Sequence, residues 1–316
     1  MQFRTPVPIS KSISPIDYNS KIISLGSCFA VNMAEKLNYF KFENWCNPFG
    51  ILFHPLAIEK LIEFAVSEKE FTKADLFFHN EQWHCFDAHS DLSNPNPDSL
   101  SSDLNATVKS MRQQMLEATH VVITYGTSWV YRNIDNNEIV ANCHKVPQKQ
   151  FEKELLSIET IKESMEKTMD LIYCVNPNCN IIFTVSPVRH IKDGVVENQL
   201  SKAHLISGIH QLISNKAKPI SYFPSYEIMM DELRDYRFYA EDMLHPSSVA
   251  IDFIWKRFKE TNISEHCFSI MDQVETIQKS LSHKPFNPNS ESHRKFESKL
   301  MDKISKLESQ YSFMKF

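Results

Sequence analysis

Short apolar runs alternate with stretches of helical spacing along most of this chain. Lys21-Ile22-Ile23-Ser24-Leu25 is a short apolar run of the kind that forms a buried strand. Gly26-Ser27 interrupts it, and apolar positions 29, 33, 34 and 37 then repeat with the period of a helix ending near Tyr39. The same reading gives a strand over Phe40–Cys46, closed by the turn Asn47-Pro48-Phe49-Gly50, and a helix over Pro55–Val66. A helix over Leu104–Ala118 leads into His120–Tyr125, the cleanest buried strand of the sequence, which ends at Gly126-Thr127-Ser128-Trp129. Then come a turn at Asn136-Asn137, a long amphipathic helix over Phe151–Val175, a strand over Asn180–Val185, a helix over Gln199–Lys216 and a short strand Ile220–Phe223. A last helix of this series is expected from Pro246, allowed at a first helical position, to about Lys259.

Strand and helix thus alternate about five times, which predicts a doubly wound α/β fold with a mostly parallel five-stranded sheet. Residues 1–20 read as an extended arm with three prolines. Residues 67–102, aromatic and His-rich and then polar, read as an insertion over the ligand edge of the sheet, containing a hairpin. Residues 1–282 are expected to form one domain. Residues 283–316 begin with the polar linker Asn287-Pro288-Asn289-Ser290 and read as a C-terminal helical appendage or mobile tail.

Composition narrows the function classes. The chain has 316 residues, enough for a full α/β core, and a formal net charge of -5 with both signs intermixed, which gives no nucleic-acid surface. No run approaches the ~18 apolar residues of a membrane span. The N-terminus lacks the apolar core of a signal peptide, and the 7 cysteines are scattered without zinc-ligand spacing, so a cytoplasmic protein with reduced thiols is expected. His79, His84 and His89 lie five apart and would not share a helix face, so no metal is expected. Only 5 glycines are present where average usage would give roughly 22. Three of them, Gly26, Gly50 and Gly126, follow or end an expected strand, where nothing larger suits a tight backbone.

Three groups fall at the loop-bearing edge of this sheet. Ser27 sits where strand turns into helix, as either an N-cap or a nucleophile. Asp242 and His245 are spaced so that one turn brings carboxylate and imidazole together, the orienter and base that a serine hydroxyl needs. Amides of Ser27, Gly50 and the neighbourhood of Gly126 are the expected oxyanion donors. Cys28 is a rival nucleophile, since a thiol beside a helix N-terminus can be acidified; its alternative is a small packing residue. Arg189 and His190 follow the fourth strand at the same edge. Arg189 is a candidate anchor for an anionic or polyhydroxyl group or else a salt-bridge partner, and His190 an alternative base.

Gly26-Ser27-Cys28-Phe29-Ala30, with its partner blocks, resembles the GSCFA family, which is similar to the SGNH, or GDSL-like, hydrolases. The resemblance covers roughly residues 18–262. It implies a three-layer, flavodoxin-like sandwich, Ser27 as nucleophile, the Asp242-to-His245 block as base and orienter, and oxyanion blocks at Gly50 and Gly126. It departs from the superfamily in two places: no acidic residue precedes Ser27, and Ser128 stands where a side-chain amide normally completes the oxyanion hole. Thr127 or Ser128 would substitute through a hydroxyl, or Asn142 or His144 would reach in, or the hole keeps two donors. The function so implied is a serine acyl-ester hydrolase without cofactor, acting on a small acyl group such as acetate on a carbohydrate. Thr127, Trp129, Asn142, His144, Arg189 and His190 are candidate substrate contacts, and the aromatics near 77–86 and Trp129 candidate walls for a sugar face. The alternatives are an acyltransferase to a sugar hydroxyl and a weakly active glycan-binding protein. The sequence sets no oligomeric state.

Overall fold

The computed structural model describes residues 5–214 and 219–316, so the start of the expected arm and the end of the helix expected to reach Lys216 lie outside the described residues. Its centre is a parallel sheet built from β1 (Lys21–Gly26), β2 (Glu43–Cys46), β5 (His120–Tyr125), β9 (Asn180–Val185) and β10 (Ile220–Phe223). The strands lie in the order β10-β9-β5-β1-β2, so the third strand in chain order lies beside the first. This flavodoxin-like arrangement reverses direction between β1 and β5, and ligands of such sheets bind outside the carboxyl ends of the strands at that reversal. The register sets Gly26 opposite Thr124 and Tyr125 opposite Val185, so the carboxyl ends of β1, β5 and β9 are nearly level.

Alternation along each strand divides the core. Ile23, Leu25, Val121, Ile123, Ile181 and Phe183 point to one face, where α2 (Pro55–Ser67), α3 (Pro97–Glu117), α4 (Ile158–Val175) and α5 (Val195–Ile213) pack. Ile22, Val122 and Ile182 point to the other, against α1 (Cys28–Tyr39), α7 (Ser248–Asn262) and α8 (Phe268–Leu281). The α/β class and the five central strands are as the sequence predicts.

Three local expectations change. Phe151–Leu155 is not the first turn of a helix but strand β8, paired antiparallel with β6 (Trp129–Asn133), which also carries β7 (Ile139–Val140). The helix starts only after Ser157, whose hydroxyl accepts from the Thr160 amide at 3.1 Å. The helix expected from Leu104 starts earlier, at Pro97, with Asn96 as its cap; the 67–102 segment therefore supplies the first turns of α3 as well as the hairpin β3 (Phe77–His79) and β4 (Gln82–His84). Pro246 does not open a helix: it bridges to Tyr239, and Ser247 caps α7. A short turn, α6 (Ser225–Glu227), follows β10.

The C-terminal segment is part of the core. Leu300, Ile304 and Leu307 on α9 (Glu291–Gln310), with Met314 beyond it, belong to the buried cluster that contains Ile16, Phe29 and Trp255. Tyr18 stacks on Phe42 at 4.4 Å and meets Tyr311 at 5.2 Å, and Ile16 bridges in parallel to Ile263. The expected appendage thus shares its apolar surface with the α1 face of the sheet.

Two buried imidazoles tie loops to this frame. His54 caps α2, its Nδ1 accepting from the Ala57 amide at 3.1 Å while Nε2 faces the Val140 carbonyl at 3.1 Å. His144 lies 2.7 Å from the Cys85 carbonyl through Nε2 and 3.1 Å from the Ser90 hydroxyl through Nδ1. Burial pushes both down to about 4. Each stays neutral in the folded protein where the unfolded chain takes up a proton below about 6.5. Stability is therefore expected to fall as the pH drops from 6.5 towards 4, by about 1.4 kcal/mol per pH unit for each group. Urea midpoints measured across that range check this; a flat profile would contradict it. Leu307→Ala is expected to lower the stability by about 2 kcal/mol, the lower end for a buried leucine, whereas an appendage outside the core would leave the midpoint in place.

Candidate functional site

The site starts with a close approach of two strands. Gly26 ends β1 at φ +124°, and a Cβ there would lie 2.0 Å from the Thr124 carbonyl oxygen of β5. Only glycine allows this contact. The same carbonyl accepts from the Ser27 amide at 3.0 Å, the Gly26 amide donates to Asn47 Oδ1 at 2.7 Å, and the Leu52 amide donates to the Gly26 carbonyl at 3.1 Å. Ser27 is thereby fixed where β1 enters α1, at the β1–β5 reversal. It occupies the N-cap position with φ -69° and ψ 173°, yet its hydroxyl makes no capping bond. Ser27 is fully buried, and among the described residues its Oγ has no hydrogen-bond partner. A buried hydroxyl without a partner is costly, which favours a reason other than capping.

Gly126 faces it across the reversal. The position a Cβ at Gly126 would take is 3.2 Å from Ser27 Cβ, 3.1 Å from His190 Nε2 and 3.1 Å from Phe53 Cδ1. One small residue therefore leaves room where a serine, an imidazole and an aromatic edge converge. His190 Nε2 is itself buried and without a partner among the described residues. The His190 ring stands edge-on to Phe53, with centroids 5.5 Å apart. Burial first, then the nearby charges of Lys202 and His245, hold His190 down to about 3.

Asp242 and His245 form the expected pair. Nδ1 of His245 lies 2.6 Å from Asp242 Oδ2, while Asp242 Oδ1 accepts from the Leu244 and His245 amides at 2.8 and 3.0 Å. These bonds, that from the His245 amide foremost, hold the exposed Asp242 carboxyl down to about 2. The loop is docked on the β9 exit: the Arg189 amide donates to the Leu244 carbonyl and its guanidinium to the Met243 carbonyl, both at 3.1 Å. The Arg189 guanidinium lies 5.6 and 5.5 Å from the Tyr236 and Tyr239 rings, and among the described residues it makes no salt bridge. Ser27 and the Asp242–His245 loop thus lie at the same edge of the sheet, and among the described residues no hydrogen bond joins Ser27 to His245.

The expected oxyanion donors are otherwise engaged. Besides the Ser27 amide, the Gly126 amide donates to the Phe53 carbonyl at 2.7 Å and the Gly50 amide closes a turn onto the Asn47 carbonyl at 2.8 Å. Gly50 has φ +76° and packs on His89, where a Cβ would approach to 2.2 Å, so this glycine serves the turn. The Ser128 hydroxyl is turned to Ser201, 3.1 Å from both its carbonyl and its hydroxyl. Thr127 Oγ1 pairs with Ser201 Oγ at 3.0 Å and accepts from the Trp129 amide. Asn142 Oδ1 accepts from the His144 amide, and both ring nitrogens of His144 are engaged with the insertion, so His144 is not a donor to the site.

Beside Gly126 a cleft of about 550 Å³ opens, lined by Phe53, Thr127, Trp129, Tyr131, Asn142 and Lys192 among others. Lys153 lies 4.3 Å over the Trp129 ring, and the indole N–H donates to the Glu197 carbonyl. One face of that ring is therefore covered. Phe77 and Phe86 stack on each other at 3.9 Å, which makes them packing between the hairpin and the small sheet. Among the described residues no group of three metal-ligating side chains converges, and no helix is long and apolar enough to cross a membrane.

Two features escaped the sequence reading. Lys202 is fully buried on α5 and donates to the Gly126 carbonyl at 2.6 Å and the Ser186 carbonyl at 2.7 Å, tying together the exits of β5 and β9. Burial brings it down to about 7. Its signal was a lysine three residues before Leu205 on the apolar stripe that continues through Ile209 and Leu212. Asn47 is the second: its Oδ1 holds Gly26, and its buried Nδ2 has no partner among the described residues. Cys28 is not acidified; burial raises its thiol despite Lys202 nearby.

Among curated proteins no relative matches. Among solved structures, an acetyl xylan esterase (Est2A) from the rumen bacterium Butyrivibrio proteoclasticus is similar at 10% identity and a TM-score of 0.33, over 81% of this chain and 65% of that one. This chain therefore spans less than two thirds of that protein. The sequence profile of the GSCFA family matches residues 21–258, and that of the GSCFA domain protein, C-terminal domain, matches residues 274–316. The first of these takes in the Ser27 turn, the Gly126 exit and the Asp242–His245 loop, and the chain belongs to the GSCFA family.

Proposed function

We propose that this protein is a serine-dependent acyl-ester hydrolase of the SGNH type, acting on a small O-acyl group such as acetyl on a carbohydrate or similar alcohol. One observation carries the reading: a buried hydroxyl with no hydrogen-bond partner among the described residues, at the strand-order reversal, on the same edge as an imidazole already paired to a carboxylate. Ser27 Oγ attacks the ester carbonyl carbon, and its proton passes to His245 Nε2. Asp242 holds the Nδ1–H tautomer and stabilises the imidazolium. The imidazolium then protonates the departing alcohol oxygen, leaving an acyl-Ser27 ester. Water attacks that ester with His245 taking its proton, the bond to Ser27 Oγ breaks, and the imidazolium returns the proton to Oγ, releasing the carboxylic acid and restoring the Ser27 hydroxyl. The cleft beside Gly126 is the space for the alcohol portion.

A second reading has one observation in its favour. With the amides of Ser27, Gly50 and Gly126 engaged with carbonyls, the oxyanion is poorly served, which suits a glycan-binding protein of low turnover.

A fluorophosphonate probe is expected to label the wild type and Cys28→Ala but not Ser27→Ala. Absence of labelling in the folded wild type would favour the binding protein, and labelling lost only in Cys28→Ala would move the nucleophile to the thiol. Asp242→Asn is expected to reduce kcat on 4-nitrophenyl acetate by about 10²–10⁴-fold with little loss of folding stability, because it removes the orientation of the general base at an exposed loop.

A further inference from the structure

The proposed chemistry leaves one group at the site without a task. His190 Nε2 and Ser27 Cβ both lie within 3.2 Å of a single point, the position a Cβ at Gly126 would take. Nε2 and Ser27 Oγ are both buried, and both lack a partner among the described residues. The His190 amide is fixed by Asn198 Oδ1 at 2.8 Å and its ring by the edge contact with Phe53. An imidazole held this firmly, with its ring nitrogen left open beside a nucleophile, has the geometry of a preorganised dipole.

Resting on the hydrolase reading, we infer that His190 Nε2–H is the side-chain donor to the oxyanion formed at Ser27, separate from the proton transfer carried by His245. The environments of the two imidazoles sort the roles. His245 is half-exposed and its Nδ1 faces a carboxylate, which fixes the tautomer that leaves Nε2 as the acceptor. Among the described residues His190 has no carboxylate partner; the residue is part-buried with its Nε2 shielded from solvent, and Lys202 and His245, the charged groups acting on it, both oppose a positive charge on it. A ring that stays neutral is a poor base at Ser27 and a usable N–H donor. It stabilises negative charge without giving up a proton, so no proton balance is altered. The role requires the proton of the resting imidazole on Nε2. It also supplies what the engaged amides and the Ser128 hydroxyl do not.

The test uses the full chain with 4-nitrophenyl acetate as the probe substrate. His190→Ala is expected to lower kcat by about 10²–10³-fold, the usual loss for one oxyanion donor, with KM within about twofold of wild type. His190→Gln, which retains a donor N–H, is expected to recover part of the loss. The acid limb of the kcat/KM profile should stay in place in both, since His190 does not titrate in the working range. Unchanged kcat in folded His190→Ala, loss of the acid limb, or a rise in KM alone would each overturn the assignment. In the wild type, ¹⁵N NMR of labelled histidines with a methylboronic acid adduct at Ser27 should show a slowly exchanging, downfield Nε2–H for His190. A resting Nδ1–H tautomer that persists in the adduct would overturn it without any variant. If the wild type neither hydrolyses the ester nor takes the fluorophosphonate label, the hydrolase reading itself fails and takes this inference with it; an active wild type with an indifferent His190 removes the inference alone.

Discussion

The Thr124 carbonyl is the point on which the site depends. It faces Gly26 so closely that no side chain fits between them, and it accepts the Ser27 amide just past the end of β1. Those two facts turn the chain from strand to helix within one residue. They also consume a donor that a freer turn would have left for a ligand. Precision in placing the hydroxyl and availability of the neighbouring amide therefore compete at this position. In the hydrolase proposed above, the side chains around Gly126, rather than the turn itself, would receive the negative charge.

Burial differentiates the groups that gather there. His190 and His245 lie close enough for the charge of one to act on the other. His245 has a carboxylate and solvent, and His190 has an aromatic edge and a buried amine for neighbours. Lys202 acts through the backbone: its amine grips the Gly126 and Ser186 carbonyls just beyond the ends of two adjacent parallel strands. A hydrocarbon side chain there would leave two buried carbonyls unsatisfied, each costing about 1–3 kcal/mol.

The three central strands were legible in the sequence because parallel strands buried on both faces are near-continuous apolar runs, and β1, β5 and β9 are buried along nearly their whole length. The Ser27 turn and the Asp242–His245 spacing were legible because both are local. Phe151–Leu155 was misread because its alternation abuts the amphipathic pattern of α4, and five residues of period two merge with eighteen of period 3.6. α9 looked like a tail because only a narrow stripe of apolar positions, Leu300, Ile304 and Leu307, marks its buried side. The turn that engages the Gly50 amide was legible in Asn47-Pro48-Phe49-Gly50, but the engagement of the Ser27 and Gly126 amides was not: it depends on where the distant Thr124 and Phe53 carbonyls fall. Ser128 likewise answers to Ser201, 73 residues away, which no motif records.

The helix that begins at Cys28 rests on partners made far later. Lys36 of α1 pairs with Asp252 of α7, Gln278 of α8 donates to the Tyr39 carbonyl at 3.1 Å, and α8 in turn packs on α9. As the chain emerges from a ribosome, the first strand and helix must wait for the last quarter of the sequence before their outer surface is covered. Long-range closure of this kind slows folding and lengthens the time that apolar surface stays open to other chains. A cell making this protein would face its greatest risk of aggregation before the final helices arrive, and a holdase acting on nascent chains would have the most to protect in that interval.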